Sequence, residues 1–298
     1  MEWQARLQEY LAPRVVLVNR ALEAYLAYDQ PLPRQLPEAM RYAALGAGKR
    51  LRPILCIAAA EALGGNAERV LPTACALELI HAFSLVHDDL PAMDNDRLRR
   101  GQPTVWVKYG EAMAILAGDA LFAKAFELIA RQADFSPAEH VVAVLHLIAD
   151  ATGLQGMCGG QAEDILSEGE TVSAEQLRAI HTRKTGALIR ASVLSGALLA
   201  GATPHQLSAL DAYSRALGLA FQITDDILNE TATPEQLGKP VGSDRARRKA
   251  TYTALFGIET ARAHARQAYQ EALSALCDFD QRAEPLRWLA AYAVERTH

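Results

Sequence analysis

The stretch 71–101 reads LPTACALELIHAFSLVHDDLPAMDNDRLRRG, and its two halves follow different rules. Up to Leu90, apolar residues recur in the rhythm of a helix that buries one face, among them Ala74, Leu77, Ile80, Ala82 and Leu85. Asp88 and Asp89 then close the apolar run, and Pro91 follows. Proline cannot donate to the helical ladder, and its ring clashes with the carbonyl four residues back, so the helix should kink or end near Leu90. On a straight helix Asp88 and Asp94 would point in different directions. After the break the chain can curl and let both face one space.

A second cluster, Phe221-Gln222-Ile223-Thr224-Asp225-Asp226-Ile227-Leu228-Asn229, has the same character. Asp225 and Asn229 are one helical turn apart and share a face. Carboxylates gathered in an apolar chain repel one another and are costly to desolvate. Divalent cations relieve both costs, and Mg2+ takes one or two carboxylates, waters and substrate phosphates. Basic residues close by (Arg97, Arg99 and Arg100 after the first cluster) suit a phosphate carried by those cations. Two such clusters facing each other would grip a diphosphate.

The rest of the chain is helical in pattern. Ser173-Ala-Glu-Gln176 is a capping box opening a long helix towards Leu199, and Thr203-Pro204 starts the helix carrying the second cluster. Strand alternation is almost absent, and no hairpin signal stands out. Breaks fall at Pro31 to Pro37, Gly64 to Asn66, Arg100 to Thr104, Phe135 to Pro137, Gly201 to Pro204 and Thr231 to Asp244; none has the length or bias of an interdomain linker. The expectation is an all-α chain, one domain over residues 1–298, with roughly ten to twelve helices. Helices apolar around most of their circumference, such as 190–202, belong in the centre or in a subunit interface.

Half of the 298 residues are hydrophobic and the net charge is −5, which argues against a nucleic-acid binder. The basic residues gather locally at Lys49 to Arg52, Arg97 to Arg100, Arg183-Lys184 and Arg245 to Lys249, which suits small anions. The four cysteines lack metal or disulfide spacing and read as reduced thiols of a cytoplasmic protein. The first residues carry no signal-peptide core, and no apolar run approaches the roughly 20 residues of a membrane span. A greasy substrate must therefore come to the protein.

In this order, the motifs resemble those of the trans-isoprenyl diphosphate synthases, and most closely the bacterial farnesyl type. They are Gly48-Lys49-Arg50-Leu51-Arg52-Pro53, Asp88 to Asp94 with Arg99-Arg100-Gly101, Gly159-Gly160-Gln161, Lys184-Thr185-Gly186, Gln222 with Asp225-Asp226, Gly238-Lys239, and Lys249-Ala250-Thr251-Tyr252. The resemblance implies a helical bundle around a central cavity and a magnesium-assisted condensation of isopentenyl diphosphate with dimethylallyl or geranyl diphosphate. It implies up to three Mg2+ ions with the bound diphosphate, and a homodimer. Asp88, Asp89, Asp94 and Asp225 would serve the metals, with Asp226 in support; Asp88, Asp94, Asp225 and Lys184 would be the catalytic set. Arg99, Lys184, Thr185, Gln222 and Lys239 would hold the allylic diphosphate. Gly48, Lys49, Arg52, His81 and Arg100 would hold isopentenyl diphosphate. Phe83 and Ser84, about one turn before Asp88, would set chain length, and an aromatic there implies a fifteen-carbon product. The same residues leave geranyl or geranylgeranyl synthases open as alternatives.

Asn229 stands where the family has an aspartate, and Thr224, Arg248 and Thr253 also depart from the farnesyl pattern. Rival functions fare worse. A terpene cyclase wants an acid at Thr233 and has no use for Lys49 and Arg52, and a silent regulatory subunit would be expected to lose the first aspartate motif. The pair Gly159-Gly160 is costly in a helix and reads as close helix approach or a bend rather than catalysis.

Overall fold

The computed structural model describes residues 2–28, 34–232 and 249–296. The architecture is all-α, as the periodicity implies. In chain order the helices are α1 (Glu2–Tyr25), α2 (Gln35–Leu45), α3 (Leu51–Ala62), α4 (Leu71–Asp88), α5 (Val105–Tyr109), α6 (Glu111–Arg131) and α7 (Ala138–Thr152). They continue with α8 (Met157–Leu166), α9 (Ala174–His181), α10 (Ala187–Leu199), α11 (Pro204–Thr231), α12 (Tyr252–Phe256), α13 (Ile258–Ala275) and α14 (Glu284–Glu295). Helix α4 is the central post, buried without interruption from Pro72 to Ile80. It packs against α3 and α6, while α10 lies against α3, α7 and α11, and α11 against α13. Leu77 and Ile80 are fully buried, each stabilising the fold by about 1.5–3 kcal/mol.

Local chemistry sets the helix boundaries. Ser173 and Thr203 both form complete capping boxes, with Gln176 and Gln206 as partners. Gly196 lets α10 cross α3 at backbone contact, since a Cβ there would sit 1.9 Å from the Cys56 carbonyl oxygen. The helix from Ser173 runs on to Leu199 as expected, but it widens on the way into a π-helical turn, Thr182–Gly186. One sequence expectation needs correction. A minimal hairpin exists, pairing Leu98–Arg99 with Gln102–Pro103 across Arg100 and Gly101. Both turn residues have positive φ, 52° and 75°, the signature of a two-residue hairpin turn that Arg-Gly hides better than Asn-Gly.

The expectation about apolar runs is also corrected. Ala67–Asp88 (22 residues) and Ala138–Leu166 (29 residues) are each long and apolar enough to cross a membrane by length and composition. Isolated polar residues such as Glu78 and His81 interrupt the first run without changing its average. That segment is mostly α4, 67% buried inside the bundle; the second is only 39% buried and leaves Val142, Leu145 and Leu154 exposed. All four cysteines are free, with Cys56 and Cys75 buried and Cys158 and Cys277 exposed.

Candidate active site

Helix α4 ends at Asp88, and the chain then curls as Pro91 requires. The Asp94 amide donates to the Asp88 carbonyl at 2.8 Å, and the Met93 and Asn95 amides both reach the Leu90 carbonyl at 2.9 Å. This wrap, with Asn95 in the left-handed region, carries the Asp94 side chain back beside Asp88. Both line a cavity of about 620 Å3, and from α11 Gln222, Asp225, Asp226 and Asn229 line it too. The two acidic clusters thus share one chamber.

Three cations from separate elements enter it: Arg52 from the start of α3, Lys184 from the π-helical turn and Lys249 from the segment before α12. The wider turn displaces Lys184 and Thr185 into the cavity, a common use of π geometry. Helix α8 meets this turn at Gly160, where a Cβ would lie 2.3 Å from the Lys184 amide nitrogen. The glycine is therefore a close-approach residue. The contact brings Gln161 to Asp88 (Nε2 donating to Oδ1 at 2.9 Å) and Asp164 to Lys184 (Nζ to Oδ2 at 2.6 Å).

Asp164 escaped the sequence reading. Its Oδ2 also lies 3.5 Å from Lys249 Nζ, which in turn reaches Asp94 at 3.3 Å. Burial works to raise the Asp164 pKa, but the two lysines beside it hold it below the ordinary carboxylate value. The signal was an acid one turn after Gln161 on the helix that Gly159-Gly160 opens. Asp88 shows the opposite balance. Burial, reinforced by Asp94 and opposed by Lys184, pushes its carboxyl up to about 6.

In each Asp-Asp pair the second member is tied to scaffold groups, Asp89 outside the cavity and Asp226 at its border. Asp89, expected among the metal ligands, is buried on the Arg99 guanidinium, with Nε at 3.0 Å from both carboxylate oxygens. Neither Asp89 nor Arg99 lines the cavity; an ion pair holds them to each other beside the first cluster. Asp226 accepts from Gln222 Nε2 at 3.1 Å and from the Tyr252 amide at 2.8 Å, pinning the start of α12 to α11. Asp225 faces the chamber and accepts from Arg296 Nη2 at 2.6 Å. Arg296, also unforeseen, stacks 3.8 Å over the Phe221 ring.

The residues expected to hold isopentenyl diphosphate divide in two. Arg52 and His81 line the chamber, whereas Gly48, Lys49 and Arg100 are not part of its lining. Arg100 donates to the Ala47 carbonyl, and a Cβ on Gly48 would sit 2.8 Å from Arg100 Nη1. Burial lowers the Arg52 pKa to about 10, so it stays cationic at neutral pH. Burial, with Arg52 and Arg100 nearby, pushes His81 well below its ordinary value and keeps it neutral. Lys239, Gly238, Thr233, Arg245, Arg247 and Arg248 lie outside the described residues.

Phe83 lines the cavity below Asp88. Its ring packs 4.9 Å from Phe122, centroid to centroid, and Phe122 packs 5.0 Å from Phe126. Ser84 also lines it, with its hydroxyl donating to the His81 carbonyl at 2.9 Å.

The chamber suits hard divalent cations. Asp88, Asp94 and Asp225 offer carboxylate oxygens, and a cation beside Asp88 would offset the charge crowding that raises its pKa. Among the described residues no three His, Cys, Asp or Glu side chains converge on one point. The hard carboxylate oxygens of Asp88, Asp94 and Asp225 are donors that suit an ion completing its shell with water and phosphate oxygens.

A family model described as polyprenyl synthetase matches residues 33–284. The chain is 48% identical over 293 residues to a dimethylallyltranstransferase of Fischerella ambigua, covering 98% of this chain and 84% of that one. It is 46% identical over 297 residues to a geranylgeranyl diphosphate synthase of Cyanophora paradoxa, covering 98% and 97%. Among solved structures it superposes with a TM-score of 0.87 and 36% identity on an FPP/GFPP synthase of Zymomonas mobilis, covering 97% and 99% of the two chains. A geranylgeranyl pyrophosphate synthetase of Pyrococcus horikoshii gives 0.86 and 35%, with 99% and 98% covered.

Proposed function

The chain belongs to the polyprenyl synthetase family of prenyltransferases, and from that premise we propose that it condenses isopentenyl diphosphate with dimethylallyl and geranyl diphosphates to make farnesyl diphosphate. One observation carries the reading: Asp88 with Asp94, and Asp225 with Asn229, face a single chamber that also holds Lys184 and Lys249 and has Phe83 in its wall. The allylic diphosphate lies between the clusters, with Lys184 and Lys249 on its oxygens. Asp88, Asp94 and Asp225 would hold Mg2+, which when bound would supply charge neutralisation for the departing diphosphate. The allylic carbon–oxygen bond breaks and the diphosphate keeps the electron pair. The fixed cations are already in place for that charge, so little reorganisation accompanies it. Arg52 and neutral His81 orient isopentenyl diphosphate so that its double bond attacks the allylic carbon, and the proton then lost goes to the departed diphosphate.

Chain length rests on Phe83, whose ring closes the chamber against Phe122. The geranylgeranyl synthase of Cyanophora paradoxa favours a twenty-carbon product as the second reading. The exposed apolar residues Ile115 and Leu116 of α6 and Val142 and Leu145 of α7 support a homodimer built on these helices. Purified protein incubated with isopentenyl diphosphate, Mg2+ and each allylic diphosphate in turn tests the activity. A farnesyl product by mass is expected. A geranylgeranyl product would overturn the chain-length assignment, and no product would overturn the function.

A further inference from the structure

Arg50 lies between Lys49 and Arg52, yet it reaches away from the chamber into the protein. Its backbone is in the left-handed region, φ 52° and ψ 34°, a costly conformation for a residue with a Cβ. Its side chain is 5% exposed and makes four hydrogen bonds. Nε donates to Asn19 Oδ1 on α1 at 2.8 Å, and Nη1 to the Ala44 carbonyl at the end of α2 at 2.9 Å. Nη1 also reaches Glu78 Oε1 on α4 at 2.9 Å, and Nη2 donates to the Gly46 carbonyl at 3.0 Å. One guanidinium therefore ties three helices to the loop that carries Gly48 and Lys49 and leads into Arg52 at the start of α3. The planar fork suits this task, because a lysine in its place could not reach all four acceptors.

The loop is held from its other side as well. Arg100, also left-handed with φ 52°, donates to the Ala47 carbonyl. The backbone at Gly48 passes between the two guanidiniums: a Cβ there would sit 2.8 Å from Arg100 Nη1 and 3.1 Å from Arg50 Nη1. The carbonyls of Ala44, Gly46 and Ala47, which would repel an anion if they faced it, are bound to these arginines. Glu78 supplies the buried counter-charge, with its side chain 6% exposed, one turn before His81 on α4. Its Oε2 and Arg52 Nε are both buried without a hydrogen-bond partner, so the polar cluster is incomplete as it stands. Arg52 lines the chamber and can take a further acceptor there.

We propose that the buried Arg50–Glu78 pair is a positioning device for the homoallylic diphosphate. It fixes the stretch from Gly46 to Arg52 in the one conformation that presents Lys49 and Arg52 to the anion, and it touches no substrate itself. The proposal rests on the assignment of isopentenyl diphosphate to Lys49, Arg52 and His81.

Arg50→Lys separates position from charge, since it keeps the cation and loses the fork. Steady-state kinetics should show the KM for isopentenyl diphosphate raised about tenfold or more, with the KM for geranyl diphosphate within about twofold. Titration of isopentenyl diphosphate by calorimetry with EDTA present should weaken in parallel. An unchanged KM in the folded variant, or equal shifts in both KM values, overturns the proposal. Asn19→Ala removes only the acceptor on α1 and serves if the arginine variant does not fold. It should raise the same KM about threefold, and no change there sinks the idea equally. Arg52→Ala is the control for the underlying assignment. If it leaves isopentenyl diphosphate binding intact, the substrate assignment has failed and the proposal falls with it. If binding is lost there but retained in Arg50→Lys and Asn19→Ala, only the positioning role is wrong.

Discussion

Replacing Phe83 with alanine should lengthen the product by one isoprene unit and then stop. Phe83 precedes Asp88 by five residues on α4, which places its ring about 7 Å below the carboxylate at 1.5 Å per residue. Behind it stands Phe122 at 4.9 Å, and behind that Phe126 at a further 5.0 Å. Deleting the first ring moves the floor back by about one ring spacing, roughly 5 Å, because Phe122 becomes the next barrier. That depth admits one more isoprene unit, so farnesyl should give way to geranylgeranyl diphosphate and not to a broad spread of longer chains. A core Phe→Ala change costs about 3–5 kcal/mol. Phe83 is half-buried and already borders open space, so a value near the lower end is expected, and thermal unfolding will show whether the variant is folded. The assay is product mass after incubation with geranyl diphosphate, isopentenyl diphosphate and Mg2+. A folded variant whose product is unchanged would refute the floor, and a product far beyond twenty carbons would refute Phe122 as the second barrier. Phe83→Ala combined with Phe122→Ala should add a further unit.

Asp164→Asn removes the charge that Lys184 and Lys249 share, leaving Lys249 with Asp94, so kcat should fall about tenfold while the KM for the allylic diphosphate does not rise; unchanged kcat counts against its role. Asn229→Asp adds a carboxylate one turn from Asp225 and should lower the Mg2+ concentration for half-maximal activity by about threefold; an identical magnesium titration rejects this. Gly160→Ala places a Cβ 2.3 Å from the Lys184 amide nitrogen, and the overpacking should cost about 1–3 kcal/mol, read as a lowered Tm with loss of activity; a variant as stable and active as the parent would contradict that close contact. Val142→Glu puts a charge on the exposed face of α7 and should shift a dimer towards monomer in sedimentation equilibrium; an unaltered oligomer places the interface elsewhere.

Features governed by neighbours in sequence were legible from the sequence. Pro91 broke α4 where its missing donor demands, and the curl delivered Asp94 to Asp88. Ser173 capped as Gln176 implied, Thr203 capped its helix ahead of Pro204, and Gly160 proved to be a close approach. Features that depend on distant partners were not. Asp164 is fixed by Lys184 and Lys249, and Asp225 is met by Arg296 from the far end of the described chain. No spacing rule joins such residues. The π-helical turn was hidden because extra width in a helix follows from packing at Gly160 as much as from local propensity. Glu78 was the most readable of the missed residues, since an acid amid Leu77, Leu79 and Ile80 must have a buried partner.

The division of labour within the Asp-Asp pairs follows from helix geometry. Successive residues on a helix are about 100° apart, so two adjacent carboxylates present different faces and meet different partners. Asp88 and Asp225 face the chamber, while Asp89 lies outside it and Asp226 at its border; both second members are buried, and each would be an uncompensated charge without a partner. Arg99 supplies that partner to Asp89, and Gln222 with the Tyr252 amide supplies it to Asp226. The second aspartates therefore hold in place the segments that complete the site: the hairpin bearing Arg100, and the strand-like lead into α12 that bears Lys249. An aspartate at either second position thus acts through the segment it holds. Its loss should misplace Arg100 or Lys249 rather than remove a metal ligand, so excess Mg2+ should fail to restore activity to Asp89→Ala or Asp226→Ala. Rescue by Mg2+ would show instead that the second carboxylate turns inward to the ion.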